Sequence, residues 1–427
     1  MARQPAPLRR RFCYGACPSR PATGDAIDPA ATPDRSAWSI FLIFLRLGLT
    51  SFGGPIAHLG YFRQEFVSRR RWLSEQSYAD LVALCQFLPG PGSSQVGMAL
   101  GLSRCGYLGA LAAWAGFTLP TAVVLILFAL GISRYGDLLP AGVLHGLQVV
   151  AVAVVAQALW GMARTLCRGA LRLLLMVLTA MLVLLIPTAL GQIGAILLAG
   201  LVGLLLIKPA HLPAHEPLWP AIRARAGLCW LGLFVALLIA LPLLRSLYPS
   251  QGLAMLDIFY RSSALVFGGG HVMLPLLQAE LVPAGWISDE VFLAGYGATQ
   301  AMPGPLFAFA AFIGASLNGP PNGWLGGLLG LVAIFLPSML LVFAALPFWE
   351  RLRRSQRSQA ALAGINAAVV GLLLAALYDP LWTSAIRGPQ DIALALLALV
   401  ALMFLRVPPW LVVLASGVLG GVSSALF

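Results

Sequence analysis

Charge is scarce in this chain. Only 10% of its 427 residues are Asp, Glu, Lys or Arg, against about 25% in a typical soluble protein. Acidic residues number 15, too few to solvate a globular surface of this length. Lysine is all but absent, because Arg supplies 26 of the 27 cations. Most of these arginines fall in short gaps between apolar runs, so the net charge of +12 reads as membrane topology rather than nucleic-acid binding. The six cysteines are scattered. Cys13 and Cys17 have no second pair to complete a zinc site, and Cys85, Cys105, Cys167 and Cys229 read as small packing residues. Catalytic signatures are missing too. The chain has no phosphate-cradling Gly-Lys-Ser/Thr loop, no paired His/Glu metalloprotease spacing and no Gly-x-Ser-x-Gly elbow. Neither nucleotide hydrolysis nor an intramembrane hydrolase is expected, and no cofactor or metal is called for.

What is present is apolar sequence: 59% of residues are hydrophobic and the mean hydropathy is +0.88. The runs are continuous rather than alternating, so they predict transmembrane helices and not a barrel. Segments are expected near 38–62, 79–102, 106–132, 139–163, 171–188 and 190–207, then 226–244, then 252–276, 291–317, 323–348, 359–378, 390–406 and 409–427. The fold class is an all-α polytopic membrane protein, and the count is six, one, six. The corresponding division is a disordered, cytoplasmic, uncleaved tail (1–37), a first repeat (38–208), a linker with one extra helix (209–250) and a second repeat (251–427). Between Lys208 and Arg225 lies a polar gap with His211, His215 and Pro220.

The duplication is explicit. Arg46, Phe52-Gly53-Gly54 and Glu65 return 215 positions later as Arg261, Phe267-Gly268-Gly269 and Glu280. Trp72, Gln86 and Pro89-Gly90-Pro91 return 214 positions later as Trp286, Gln300 and Pro303-Gly304-Pro305. Apolar drift does not keep an Arg, a Gly pair and a Pro-Gly-Pro in step, so this is an internal repeat. The odd helix at 226–244 makes the second copy enter the membrane from the opposite side, which predicts an inverted repeat. Arg164, Arg168, Arg172, Lys208, Arg223, Arg225, Arg351, Arg353, Arg354 and Arg357 then share the cytoplasmic side. Arg69, Arg70 and Arg71 join them only if 38–62 and 79–102 are re-entrant hairpins.

The breaks carry the chemistry. Gly53-Gly54-Pro55 stops one helix and starts another, and Pro89-Gly90-Pro91 followed by Gly92-Ser93-Ser94-Gln95 does so again. Half-helix N-termini inside a membrane must face protein, water or a ligand, and they suit an anion. The bland reading is a kink or close packing through small residues. Matched interruptions in both halves favour a transporter site. Arg46 and Arg261, inside apolar segments, are either anion ligands or partners of a carboxylate such as Asp257. Gln86 and Gln300 could donate to an oxyanion or cap the broken backbone. Gln95 has no amide counterpart, since its position lands on Phe309, so the halves are not equivalent. His271, with His58, Glu65 and Glu280, is a candidate for proton coupling. The glutamates sit near segment ends, and the preferred reading makes them interfacial residues. Gly326, Gly327 and Gly330 could pack within the chain or across a homodimer.

These residues resemble the chromate ion transporter family in its long, two-domain form. The marks are Arg46 with Phe52-Gly53-Gly54-Pro55, Gln86 with Pro89-Gly90-Pro91, and Phe267-Gly268-Gly269-Gly270-His271 with Pro303-Gly304-Pro305, over about 38–427. The resemblance implies homologous, oppositely oriented halves and export of chromate across the bacterial inner membrane, driven by proton exchange. The residues themselves reach only to an anion-type carrier. In that reading Arg46 and Arg261 hold the charge, the broken backbones hold the oxygens, and the two halves rock about the site. A sulfate permease and a passive anion channel remain open alternatives.

Overall fold

The computed structural model describes residues 36–135, 141–207, 223–267, 270–349, 355–405 and 407–426. The expectations for the N-terminal tail, for His211 and His215, for Gly268 and Gly269, and for Arg351, Arg353 and Arg354 lie outside the described residues. Every regular element among the described residues is helical.

The first repeat contains α1 (Ala37–Thr50), α2 (Gly54–Phe62, continued by a π-helical stretch Arg63–Arg69), α3 (Glu75–Phe87), α4 (Gly92–Tyr135), α5 (Ala141–Leu166), α6 (Ala170–Leu185) and α7 (Ala189–Leu206). The extra helix is α8 (Ala224–Leu247). The second repeat contains α9 (Gln251–Leu265), α10 (Met273–Leu281), α11 (Asp289–Thr299), α12 (Phe309–Ser316), α13 (Gly323–Ala345), α14 (Gln356–Ala376), α15 (Pro389–Met403) and α16 (Pro409–Leu426). Even the caps repeat. Ser36 and Ser74 accept from the backbone at the starts of α1 and α3, and Ser250 and Ser288 do the same for α9 and α11, 214 positions on. Among the described residues, five helices are long and apolar enough to cross a membrane.

The expected re-entrant segments fold back on themselves. A straight run from Phe44 to Phe62 would separate their Cα atoms by about 27 Å, yet the two rings lie 5.6 Å apart and Phe44 stacks on Phe66 at 5.1 Å. The turn is at Ser51–Gly53, where Gly53 takes a left-handed conformation. α1 is also short: fourteen residues span about 21 Å, less than the roughly 30 Å of hydrocarbon. A second fold-back brings the Arg104 guanidinium to 5.1 Å from the Trp72 ring, across α3 and the start of α4. α4 is itself bent sharply at Cys105–Gly106, where Gly106 has φ 59°. Its two arms then touch so closely that a Cβ on Gly101 would strike the Gly109 backbone. α12 and α13 meet in the same way through Gly314 and Gly326.

The halves are not separate bundles. α5 of the first repeat packs on α11, α15 and α16 of the second, while α14 of the second packs on α6 and α7 of the first. Two satellite cores mirror this exchange, one around Val150, Ala294, Ala398 and Val413, the other around Leu175, Ala199, Ala367 and Val370. The crossings use equivalent glycines. Gly146 on α5 meets Gly420 on α16, and Gly364 on α14 meets Gly203 on α7, with no room for a Cβ at any of the four. Such reciprocity is what a two-fold relation between halves requires. Rocking of the two halves about the site, as expected from the sequence, would have to separate both crossings. Gly326, Gly327 and Gly330 all pack within the chain, against Gly314, Ile126 and Ala310, so the observations give them no part in a dimer.

Candidate functional site

The four helix breaks meet at one junction. The amide N–H of Gly90, in the first Pro-Gly-Pro, donates to the carbonyl of Val266 at the second repeat's first break, at 2.6 Å. Reciprocally, the N–H of Gly304, in the second Pro-Gly-Pro, donates to the carbonyl of Ser51 at the first repeat's break, at 3.0 Å. Gly90 and Gly304 both have positive φ, 113° and 93°, which points their amides across the junction where an L-residue would be strained.

Two hydroxyls overlooked in the sequence complete the exchange. Thr121 Oγ1 donates to the Pro303 carbonyl, and Ser338 lies directly against Gly90. Each follows a proline inside a long helix, Pro120 in α4 and Pro337 in α13. A Pro-Thr and a Pro-Ser in matching apolar spans were the available signal, and hydropathy does not register it.

Around the junction lie buried polar atoms with no hydrogen-bond partner among the described residues: Ser51 Oγ, Ser94 Oγ, Gln95 Oε1, Thr118 Oγ1, Gln300 Nε2 and Ser338 Oγ. In a low-dielectric interior an unpaired polar group costs about 1–3 kcal/mol, so such a cluster needs a reason. Gln95 spends its amide nitrogen on the Pro89 carbonyl, at 2.7 Å. His58 is buried with Nε2 3.2 Å from the Ser51 carbonyl and Nδ1 3.4 Å from Ser93 Oγ. A carbonyl only accepts, so Nε2 carries the proton and Nδ1 faces the hydroxyl. The Ser51 carbonyl thus receives both His58 and Gly304, tying the imidazole to the contact between halves.

The other candidates divide. His271 bonds through Nδ1 to the Tyr296 hydroxyl at 2.6 Å. Gln86 is exposed on α3, so of the two amides only Gln300 reaches the interior. Gly53 and Gly54 form the turn, Ser93 meets His58, and Ser94 starts α4 within the cluster. Arg261 is the carboxylate-paired alternative: its guanidinium reaches Asp257 at 2.8 Å and Glu280 at 3.2 Å, and Arg245 on α8 joins Asp257 at 3.3 Å. Glu65 is held by Arg70 at 2.7 Å and Arg69 at 3.2 Å. On the exposed connection that follows, the Arg63 hydrogen bond holds the Glu75 carboxyl below its ordinary range.

Arg46 differs. Among the described residues it has no carboxylate partner. It lines a cavity of about 540 Å³ with Leu47, Thr50, Tyr61, Gln64, Glu65, Ser68 and Arg69, inside the α1–α2 fold-back. That volume falls within the range of small-molecule sites, about 300–1,000 Å³. Its wall carries two cations against one carboxylate.

Comparison with known proteins agrees with this architecture. The chromate transporter family profile matches residues 38–204 and 253–421, the two repeats. A chromate transport protein of Pseudomonas aeruginosa is 29% identical over 381 residues, 86% of each chain. A chromate transport protein of Cupriavidus metallidurans is 26% identical over 404 residues, 91% of this chain and 92% of that one. An uncharacterized transporter of Bacillus subtilis is 28% identical over 167 residues, covering 38% of this chain and 92% of its own length. No solved structure matches. Two matched repeats, five membrane-length helices and relatives aligned along most of their length identify the chain as a transporter and not an enzyme, a multi-pass membrane protein that belongs to the chromate transporter family.

Proposed function

We propose that this protein exports chromate from the bacterial cytoplasm across the inner membrane in exchange for protons, giving resistance to the ion. The observation that carries the reading is the reciprocal pair of hydrogen bonds, Gly90 to Val266 and Gly304 to Ser51. It gathers the four matched Gly-Gly and Pro-Gly-Pro breaks at one polar junction, and paired interruptions near the membrane midplane are where secondary transporters bind their cargo. The two-fold exchange of helices, together with the single extra helix α8, supports opposite orientation of the repeats in the membrane.

Chromate is a tetrahedral dianion with four acceptor oxygens. Arg46 supplies a guanidinium fork at the cavity. At the junction, the hydroxyls of Ser94, Thr118 and Ser338 and the amide nitrogen of Gln300 supply neutral donors without a partner among the described residues. Such donors hold an oxyanion without a metal. His58 is the proton-coupling residue in this scheme, because a second proton on Nδ1 ends its acceptance from Ser93 beside the contact between halves. His271 is a second candidate, one step removed through Tyr296.

The test is chromate uptake by inside-out vesicles, with and without an imposed proton gradient. Saturable uptake that the gradient accelerates is expected. Uptake that stays linear with concentration and ignores the gradient means a passive channel. Sulfate uptake with no effect of chromate on it means a permease for another oxyanion.

A further inference from the structure

We propose that the chain has one oxyanion-loading site and not two: the Arg46 cavity, whose twin in the second repeat is closed by its own carboxylates. The inference rests on the oxyanion reading above and assigns the loading step to one half.

Equivalent positions in the two repeats have opposite electrostatic arrangements. Arg46 corresponds to Arg261 and Glu65 to Glu280, both 215 positions apart. In the second repeat the guanidinium is saturated. Arg261 places Nη2 2.8 Å and Nε 3.3 Å from the Asp257 carboxylate and Nη1 3.2 Å from Glu280. Two arginines, Arg245 and Arg261, face two acids there, and the cluster is neutral.

Three substitutions undo this in the first repeat. Asp257 is replaced by Leu42, so Arg46 has no acid one turn before it. Ala284 and Gly285 are replaced by Arg69 and Arg70, and these two draw Glu65 to themselves at 3.2 and 2.7 Å. Arg46 is left facing the cavity with Tyr61, Gln64 and Ser68, neutral groups that can donate to an oxygen. An arginine in an apolar segment with no counter-ion is costly, and an entering dianion provides the counter-charge. Arg46 therefore sets the affinity of loading, while the junction deeper in the fold handles passage.

Transplanting one acid tests the idea. Leu42 is exposed, so an acid there displaces no core side chain, and its carboxylate stands four residues before Arg46, the favoured order for a helical ion pair. In vesicle uptake, Leu42→Asp is expected to raise the KM for chromate at least tenfold with kcat within about twofold of the unmodified protein. Leu42→Asn should leave both unchanged. Equilibrium binding of sulfate to the purified chain provides an independent readout: a site lost in Leu42→Asp and kept in Leu42→Asn. An unchanged KM in Leu42→Asp, or sulfate binding undiminished by Leu42→Asp, overturns the proposal. If the unmodified protein moves no chromate but still binds one sulfate that Leu42→Asp removes, the transport reading fails and the loading site stands.

Discussion

Arg46 and Arg261 were indistinguishable as residues in a repeat, and their surroundings separate them. Arg46→Ala removes the unneutralised cation of the cavity, so vesicle chromate flux is expected to fall at least tenfold while protein yield and thermal midpoint hold. Arg261→Ala should act the other way. It leaves buried Asp257 with only Arg245, and the loss of a charge-assisted hydrogen bond costs about 2 kcal/mol. A lower thermal midpoint in detergent is expected. An Arg261→Ala protein as stable as the unmodified chain would show that the network contributes nothing. At this scale the sequence singled out both arginines and left their partners open. The spacing that singles out Arg46 and Arg261 is local, whereas the partner that neutralises Arg261 is set by Asp257, Glu280 and a third helix. Thr121 and Ser338 escaped notice because one hydroxyl barely alters an apolar run, and its significance comes from a Pro-Gly-Pro about 180–250 positions away in the chain.

Helix breaks and crossings decide how the elements assemble. Gly53-Gly54-Pro55 and Pro89-Gly90-Pro91 were legible as interruptions, since Gly and Pro punctuate helices whatever surrounds them. The fold-back at Ser51–Gly53 was expected from the misplaced arginines at 69–71, and the Phe44–Phe62 contact matches it. The bend of α4 at Cys105–Gly106 lies at the boundary of two expected segments, 79–102 and 106–132, while the tight Gly101–Gly109 contact was invisible. The exchanged crossings were not legible at all, because hydropathy treats each helix alone. They can be tested as elements. A Cβ at Gly364 would collide with the Ala199 carbonyl, and overpacking of this kind costs about 1–3 kcal/mol. Gly364→Leu is expected to lower the thermal midpoint, and Gly420→Leu should do the same at the equivalent crossing with α5. Gly161→Ala, with open space around it, is the tolerated control. Equal stability of all three variants would mean the crossings are loose.

The whole molecule is two copies of one unit that share their interiors. Each Pro-Gly-Pro binds the other copy's break, each long Pro-containing helix faces the other copy's Pro-Gly-Pro, and α5 and α14 each pack on the other copy's last pair. Sequence spacing anticipated two halves and an odd helix between them. It could not reveal the interlocking, which depends on contacts between residues some two hundred positions apart. The central claim is that these interlocked copies face opposite ways, so that one polar junction can be reached from both sides. Site-directed cysteine labelling of intact cells tests it most directly. In a background without the native cysteines, Gln76→Cys and Ala284→Cys place exposed thiols just beyond the first fold-back of each repeat. The account predicts that a membrane-impermeant maleimide labels Ala284→Cys from outside and leaves Gln76→Cys untouched until the membrane is opened. Labelling of both from the same side would contradict it.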